Sequence, residues 1–187
     1  MRTSKRIQIR ELIALALVEW RSENRVSAAM VTWFVLMLGV MAGLGYVSGV
    51  RFFKDVIWLV PPFAAISSIL LLLPASSIAQ PIPVIVGSTL GAAMGTTASM
   101  AVHGPVYAVA AAVGTLLVLS TLRIYHPTGV SLSMYPLLLH PGVLFPLVVV
   151  FPFTLIAVTS AACLSREIGS WPAYPRPLRV AEKDRHG

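Results

Sequence analysis

From residue 56 to residue 165 the chain carries a single charged side chain, Arg123, and no Asp or Glu. A soluble fold needs a polar exterior, and soluble domains carry about 25% charged residues. Here the 187-residue chain has 11%, with 57% hydrophobic residues and a mean hydropathy of +0.82. These values exclude a water-soluble globule and predict an all-α polytopic helix bundle in a lipid bilayer, where helices satisfy every backbone polar group internally. An uncompensated charge in hydrocarbon is costly, so Arg123 is a functional candidate. A path without carboxylates is poorly suited to cations or a proton relay and suits an anion or a neutral solute.

The formal charge of +7 resides mostly in the two ends. Arg2, Lys5, Arg6, Arg10, Arg21 and Arg25 precede the first apolar segment, and Arg166, Arg176, Arg179, Lys183 and Arg185 follow the last. Such flanks read as cytoplasmic anchors to anionic lipid rather than as a nucleic-acid footprint. Cys163 is the one cysteine, which excludes an internal disulfide and reads as a small packing residue between helices. Leu12–Val18 is followed by Glu19-Trp20-Arg21 and not by a signal-peptide cleavage site.

Residues 1–28 are read as a cytoplasmic tail, with an interfacial amphipathic helix over 7–20 built on Ile9, Leu12, Ile13, Ala16, Leu17 and Trp20. Residues 29–163 are the transmembrane domain and 164–187 a basic cytoplasmic tail. Four full spans are expected, at 29–50, 83–102, 105–123 and 143–163. Two shorter segments are expected to be broken by proline: 56–73, with Pro61-Pro62, and 129–139, fenced by Pro127, Pro136 and Pro141. Broken backbone at membrane depth survives only where protein or a wet cavity covers it. The two segments align at a constant offset: Pro61–Ala64 with His126–Gly129, Ser68 with Ser133, Pro81 with Pro146. Span–broken helix–span therefore occurs twice, the pattern of an internal two-fold repeat with the substrate site at the paired discontinuous helices. Only an even number of crossings biases Lys and Arg to one side, so both termini are expected in the cytoplasm, with six crossings favoured over four.

Gly87, Gly91 and Gly95, with Ser99 continuing the face, let membrane helices approach closely, within the bundle or between subunits of a homo-oligomer. His126-Pro127-Thr128-Gly129-Val130-Ser131 is the sharper constellation. Proline at the first helical position would open a short helix whose free N–H groups face a polar ligand. His126 and Arg123 would add donors, and Pro62, Phe63 and Ser67 would belong to the opposing segment. The alternative is that His126 caps a helix while Arg123 snorkels to the interface. His103 and His140 fall at segment ends and need no role. Trp33, Trp58, Tyr107 and Trp171 read as interfacial anchors. No carboxylate joins the histidines, no nucleophile pairs with a base and no glycine-rich loop binds phosphate, so neither enzymatic activity nor a metal or other cofactor is expected.

Three stretches resemble the HPP family of small integral membrane proteins, in the family's order and spacing over about residues 30–163. Pro62-Phe63-Ala64-Ala65 is similar to its Pro-Phe-Gly-Ala, Ile78-Ala79-Gln80-Pro81 to its Leu-Ala-Gln-Pro, and His126-Pro127-Thr128-Gly129 to its name motif. The resemblance implies a transporter, and some plastid and cyanobacterial relatives are associated with nitrite. Three departures stand out, and two of them strip positive character from the presumed path. Thr128 replaces the second proline, Ile82 an arginine after Gln80-Pro81, and Gly87-Ser88 a Gly-His pair. The expectation is therefore a multi-pass protein of the cell inner (cytoplasmic) membrane that carries a small, nitrite-like anion as transporter or channel. The competing class is a non-transporting membrane subunit that assembles with partner proteins.

Overall fold

The computed structural model describes residues 26–47, 53–169 and 171–175. The amphipathic segment at 7–20 and most of the basic tails lie outside them. Among the described residues the fold is all α, with six helices and no strand: α1 Ala28–Val47, α2 Phe53–Leu72, α3 Ser88–Ser99, α4 Pro105–Thr121, α5 Pro127–Leu139 and α6 Phe151–Glu167. A 3₁₀ turn, Ser77–Ala79, follows α2, and π-helical turns at Pro83–Gly87 and Pro146–Val150 lead directly into α3 and α6.

Proline places the starts. Pro105 and Pro127 each open a helix, and Pro83 and Pro146 lie in the first turn of theirs, where the missing N–H is no loss and the fixed φ suits the helix. The same residue inside a helix is less disruptive than the sequence suggests. α2 runs unbroken through Pro61-Pro62, and α5 through Pro136. Proline's φ is itself helical, so each ring removes one hydrogen bond and the rest of the ladder holds its course. The expected broken segment at 56–73 is thus a continuous helix of 20 residues.

Two helices are long and apolar enough to cross a membrane: Ala28–Val47, and Pro146–Glu167 with its leading π turn. Pro105–Thr121 is a shorter apolar helix, and α5 has 13 residues, about 20 Å at 1.5 Å per residue. That falls short of the roughly 30 Å of hydrocarbon. The expectation of four full spans is met by length and composition for two.

The distribution of side chains is that of a protein whose solvent is lipid. Val35, Leu36, Val106, Val109, Leu117, Leu147 and Phe151 are exposed on the outside of the bundle, while Ser67, Ser88, Thr96, Thr115, His126, Thr128, Ser133 and Thr154 are buried within it. Hydroxyls in the interior mostly donate to the carbonyl three or four residues back, as Ser67 Oγ does to Phe63 O at 3.1 Å and Thr96 Oγ1 to Ala92 O at 2.8 Å. The apolar core joins Met30, Met37 and Met41 of α1 to Phe63, Ile66 and Leu70 of α2 and to Val149 and Phe153. Phe63 and Phe153 meet edge to face with ring centroids 4.6 Å apart.

Packing continues past residue 163. Trp171 and Tyr174 are buried, Trp171 lies edge-on to Trp33 at 5.8 Å, and Tyr174 N–H donates to Ser165 Oγ at 2.8 Å. Trp33 also donates from Nε1 to Ser160 Oγ at 2.9 Å. Trp33 and Trp171 are core residues that pin the segment after α6 onto α1, so neither ring faces the outside of the bundle. Cys163, read as a packing residue, is exposed. A helix face cannot be assigned from one small side chain.

Candidate functional site

α3 and α5 lie side by side and run parallel. A β-carbon built on Gly87 would stand 2.5 Å from Ile124 O, one on Gly91 would overlap the Gly129 carbonyl, and one on Gly95 would overlap the Ser133 carbonyl. Gly129 returns the contact, its own β-carbon position lying 2.5 Å from Gly87 O. The small-residue face Gly87–Gly91–Gly95 is therefore occupied inside the subunit, backbone against backbone. Gly39 and Gly43, which show the same spacing once, have nothing within 4 Å.

This contact carries the start of α5 against the start of α3 and fixes the surroundings of His126. The imidazole is completely buried, and its Nδ1 donates to the backbone oxygen of Ile78 at 2.7 Å. The loop that carries Ile78 is closed by Gln80, whose Nε2 donates to Pro74 O at 3.0 Å and Ser76 O at 2.9 Å. Two of the sequence motifs, Ile78-Ala79-Gln80-Pro81 and His126-Pro127-Thr128-Gly129, thus meet in one hydrogen bond. Ser88 and Thr128 are buried beside them with their hydroxyl oxygens 3.5 Å apart. The first motif lies on α2, which packs on α5, with Pro62, Phe63 and Ser67 all buried.

A carbonyl oxygen only accepts, so Nδ1 carries the ring proton. Nε2, on the other side of the ring, is buried without a hydrogen-bond partner. His126 is also the N-cap of α5, but its side chain does not cap the helix. The helix start is less open than the sequence implies. Gly129 N–H bonds back to His126 O at 3.0 Å, and Ser131 Oγ, half-buried, donates to Thr128 O at 3.0 Å.

Arg123 does not share the enclosure of His126. It is exposed, with φ 57°, and it closes α4. Ile124 N–H donates to Leu119 O and Arg123 N–H to Ser120 O, both at 3.1 Å, the paired bonds of a Schellman motif with arginine in the position glycine usually takes. A cation there also complements the negative end of the helix dipole.

At the opposite ends of α3 and α5, His103 and His140 stack with ring centroids 4.1 Å apart, and Gly104 N–H donates to Leu137 O at 3.1 Å. Sequence reasoning left both histidines without a role and did not see that parallel helices bring them together. It also missed Ser88 as a partner of Thr128. The available signal was that both residues depart from the family pattern. Among the described residues no group of three metal-ligating side chains forms.

The family model for the HPP transmembrane region matches residues 25–175. The chain belongs to the HPP family. The match runs to residue 175, beyond the 163 expected, and reaches the buried Trp171 and Tyr174. No curated protein and no solved structure matches the chain.

Proposed function

We propose that this HPP protein is a multi-pass transporter or channel of the cell inner membrane for a small, nitrite-like anion, with both termini in the cytoplasm and six crossings. The observation that carries the reading is His126: a fully buried imidazole with one free ring nitrogen, beside a pair of buried hydroxyls, inside a bundle whose outer surface is apolar. A group that polar has no structural use for its second nitrogen, and burying it unpartnered costs about 1–3 kcal/mol. Binding sites retain such costs because a ligand repays them.

The two-fold repeat is part of this proposal. It groups α1–α3 with α4–α6, and in each half the third helix opens on a proline-led π turn, Pro83–Gly87 or Pro146–Val150. An odd number of crossings per half would make the repeats inverted, with α2 and α5 as equivalent helices near the midplane. Parallel α3 and α5, separated by one helix in the chain, fit alternating crossings. Uptake of nitrite, nitrate, formate and bicarbonate into liposomes holding the purified chain tests the function. Uptake above protein-free liposomes supports it, and its absence with folded protein leaves assembly with partner proteins as the role.

A further inference from the structure

Resting on the transport reading, we propose that the solute passes His126 as a small weak acid with its proton, so that anion and proton move together and no net charge crosses.

The geometry sets the hydrogen-bond needs of the site. Nδ1–H is committed to Ile78 O at 2.7 Å, and Nε2 is buried with a lone pair and no partner. A bare anion brings only acceptors and cannot satisfy that lone pair. A protonated solute can. On the same two helices Ser88 and Thr128 bring buried hydroxyls, 3.5 Å apart, that each donate or accept.

Electrostatics point the same way. Residues 74–99 and 124–139, which supply the loop after α2 and helices α3 and α5, contain no Asp, Glu, Lys or Arg, and neither do residues 56–73 of α2 and 108–121 of α4, which pack on α5. Their other ionisable side chains are Tyr125 and Tyr135, both half-buried and neutral unless they lose a proton. Arg123, the nearest cation along the chain, is exposed. A lone anion at the site would have no counter-charge, and a lone imidazolium would have none either. Together they cancel. The balanced step is proton transfer from the acid HA to Nε2, giving imidazolium and A⁻ as a contact pair, then return of the same proton before HA leaves on the other side. No bond to a heavy atom forms or breaks, and no oxidant or reductant is involved.

The test uses the full chain in liposomes containing a trapped pH dye, with nitrite as the probe and protein-free liposomes subtracted, since neutral small acids leak through lipid. Wild type is expected to bring in about one proton per nitrite, and an imposed membrane potential is expected to leave the initial rate unchanged. His126→Asn keeps an amide donor where Nδ1 bonds Ile78 O and removes the Nε2 acceptor. It is expected to lower coupled uptake by about tenfold or more while eluting as wild type does. Wild-type nitrite uptake that is driven by membrane potential and brings no proton overturns the inference and leaves the transport reading standing. Absence of any uptake above protein-free liposomes overturns both. Full coupled uptake by folded His126→Asn also overturns the inference, and if that variant does not fold, the wild-type stoichiometry decides alone.

Discussion

Gly91 of α3 packs directly on the Gly129 carbonyl of α5, with no room between them for a single methyl group. Four residues on, Gly95 repeats the contact against Ser133, and four residues back Gly87 faces Ile124. The register of α3 on α5 is therefore set by backbone, not by interlocking side chains.

Gly91→Ala is expected to destabilise the protein by about 1–3 kcal/mol, since the added carbon meets backbone that cannot rotate away. Gly39→Ala, where nothing lies within 4 Å, is expected to change stability by less than about 0.5 kcal/mol. Melting of both variants in detergent, followed by size-exclusion elution, checks the pair. Equal melting would mean that α3 and α5 separate without cost.

Arg123→Gly is expected to raise stability by about 1 kcal/mol, because glycine adopts the left-handed conformation at φ 57° without a β-carbon clash. Arg123→Gln keeps that clash and is expected to melt near wild type. Uptake is expected to survive both changes, as Arg123 is exposed while His126 is sealed. Loss of uptake in a normally melting Arg123→Gln protein would return Arg123 to the pathway.

Tyr174 sits beyond α6, with its hydroxyl buried and unpartnered, and burial pushes its phenol above the ordinary value of 10.0. The unfolded chain loses this proton near that ordinary value and the folded chain does not. Above it the unfolded state binds fewer protons, so this residue's contribution to stability falls as pH rises and is constant below. Tyr174→Phe is expected to flatten that alkaline loss and to stabilise by about 1 kcal/mol, since no hydrogen bond is given up. Melting between pH 8 and pH 11, in about one-unit steps, compares the two proteins. A less stable Tyr174→Phe would show that the hydroxyl has a partner.

Topology is checked by reporter fusions after Arg25 and after Arg176, which are both expected to report the cytoplasm. A C-terminal fusion on the far side would remove the inverted repeat together with the charge argument.

The sequence by itself determined the solvent of this protein and the places where its helices begin. One charge between residues 56 and 165 forces an apolar exterior, and prolines at 83, 105, 127 and 146 fall in the first turns of helical segments because a residue without an N–H costs least there. The family motifs, and the departures at Ser88 and Thr128, were equally legible. Proline inside a helix was not, because whether Pro61-Pro62 or Pro136 breaks the backbone depends on what packs around the freed carbonyl. Spacing singled out His126, but could not say what surrounds it or that His103 and His140 meet. His126, His103 and His140 look alike as letters beside proline or glycine, yet one is sealed and the other two stack in the open. That difference arises only when α3 and α5 close on each other. Gly87, Gly91 and Gly95 permit an approach that no longer side chain would allow, and the approach carries the His126 ring onto Ile78 O, Thr128 onto Ser88 and His140 onto His103. Partners so distant in sequence leave no periodic trace, since each is fixed by where another helix stands.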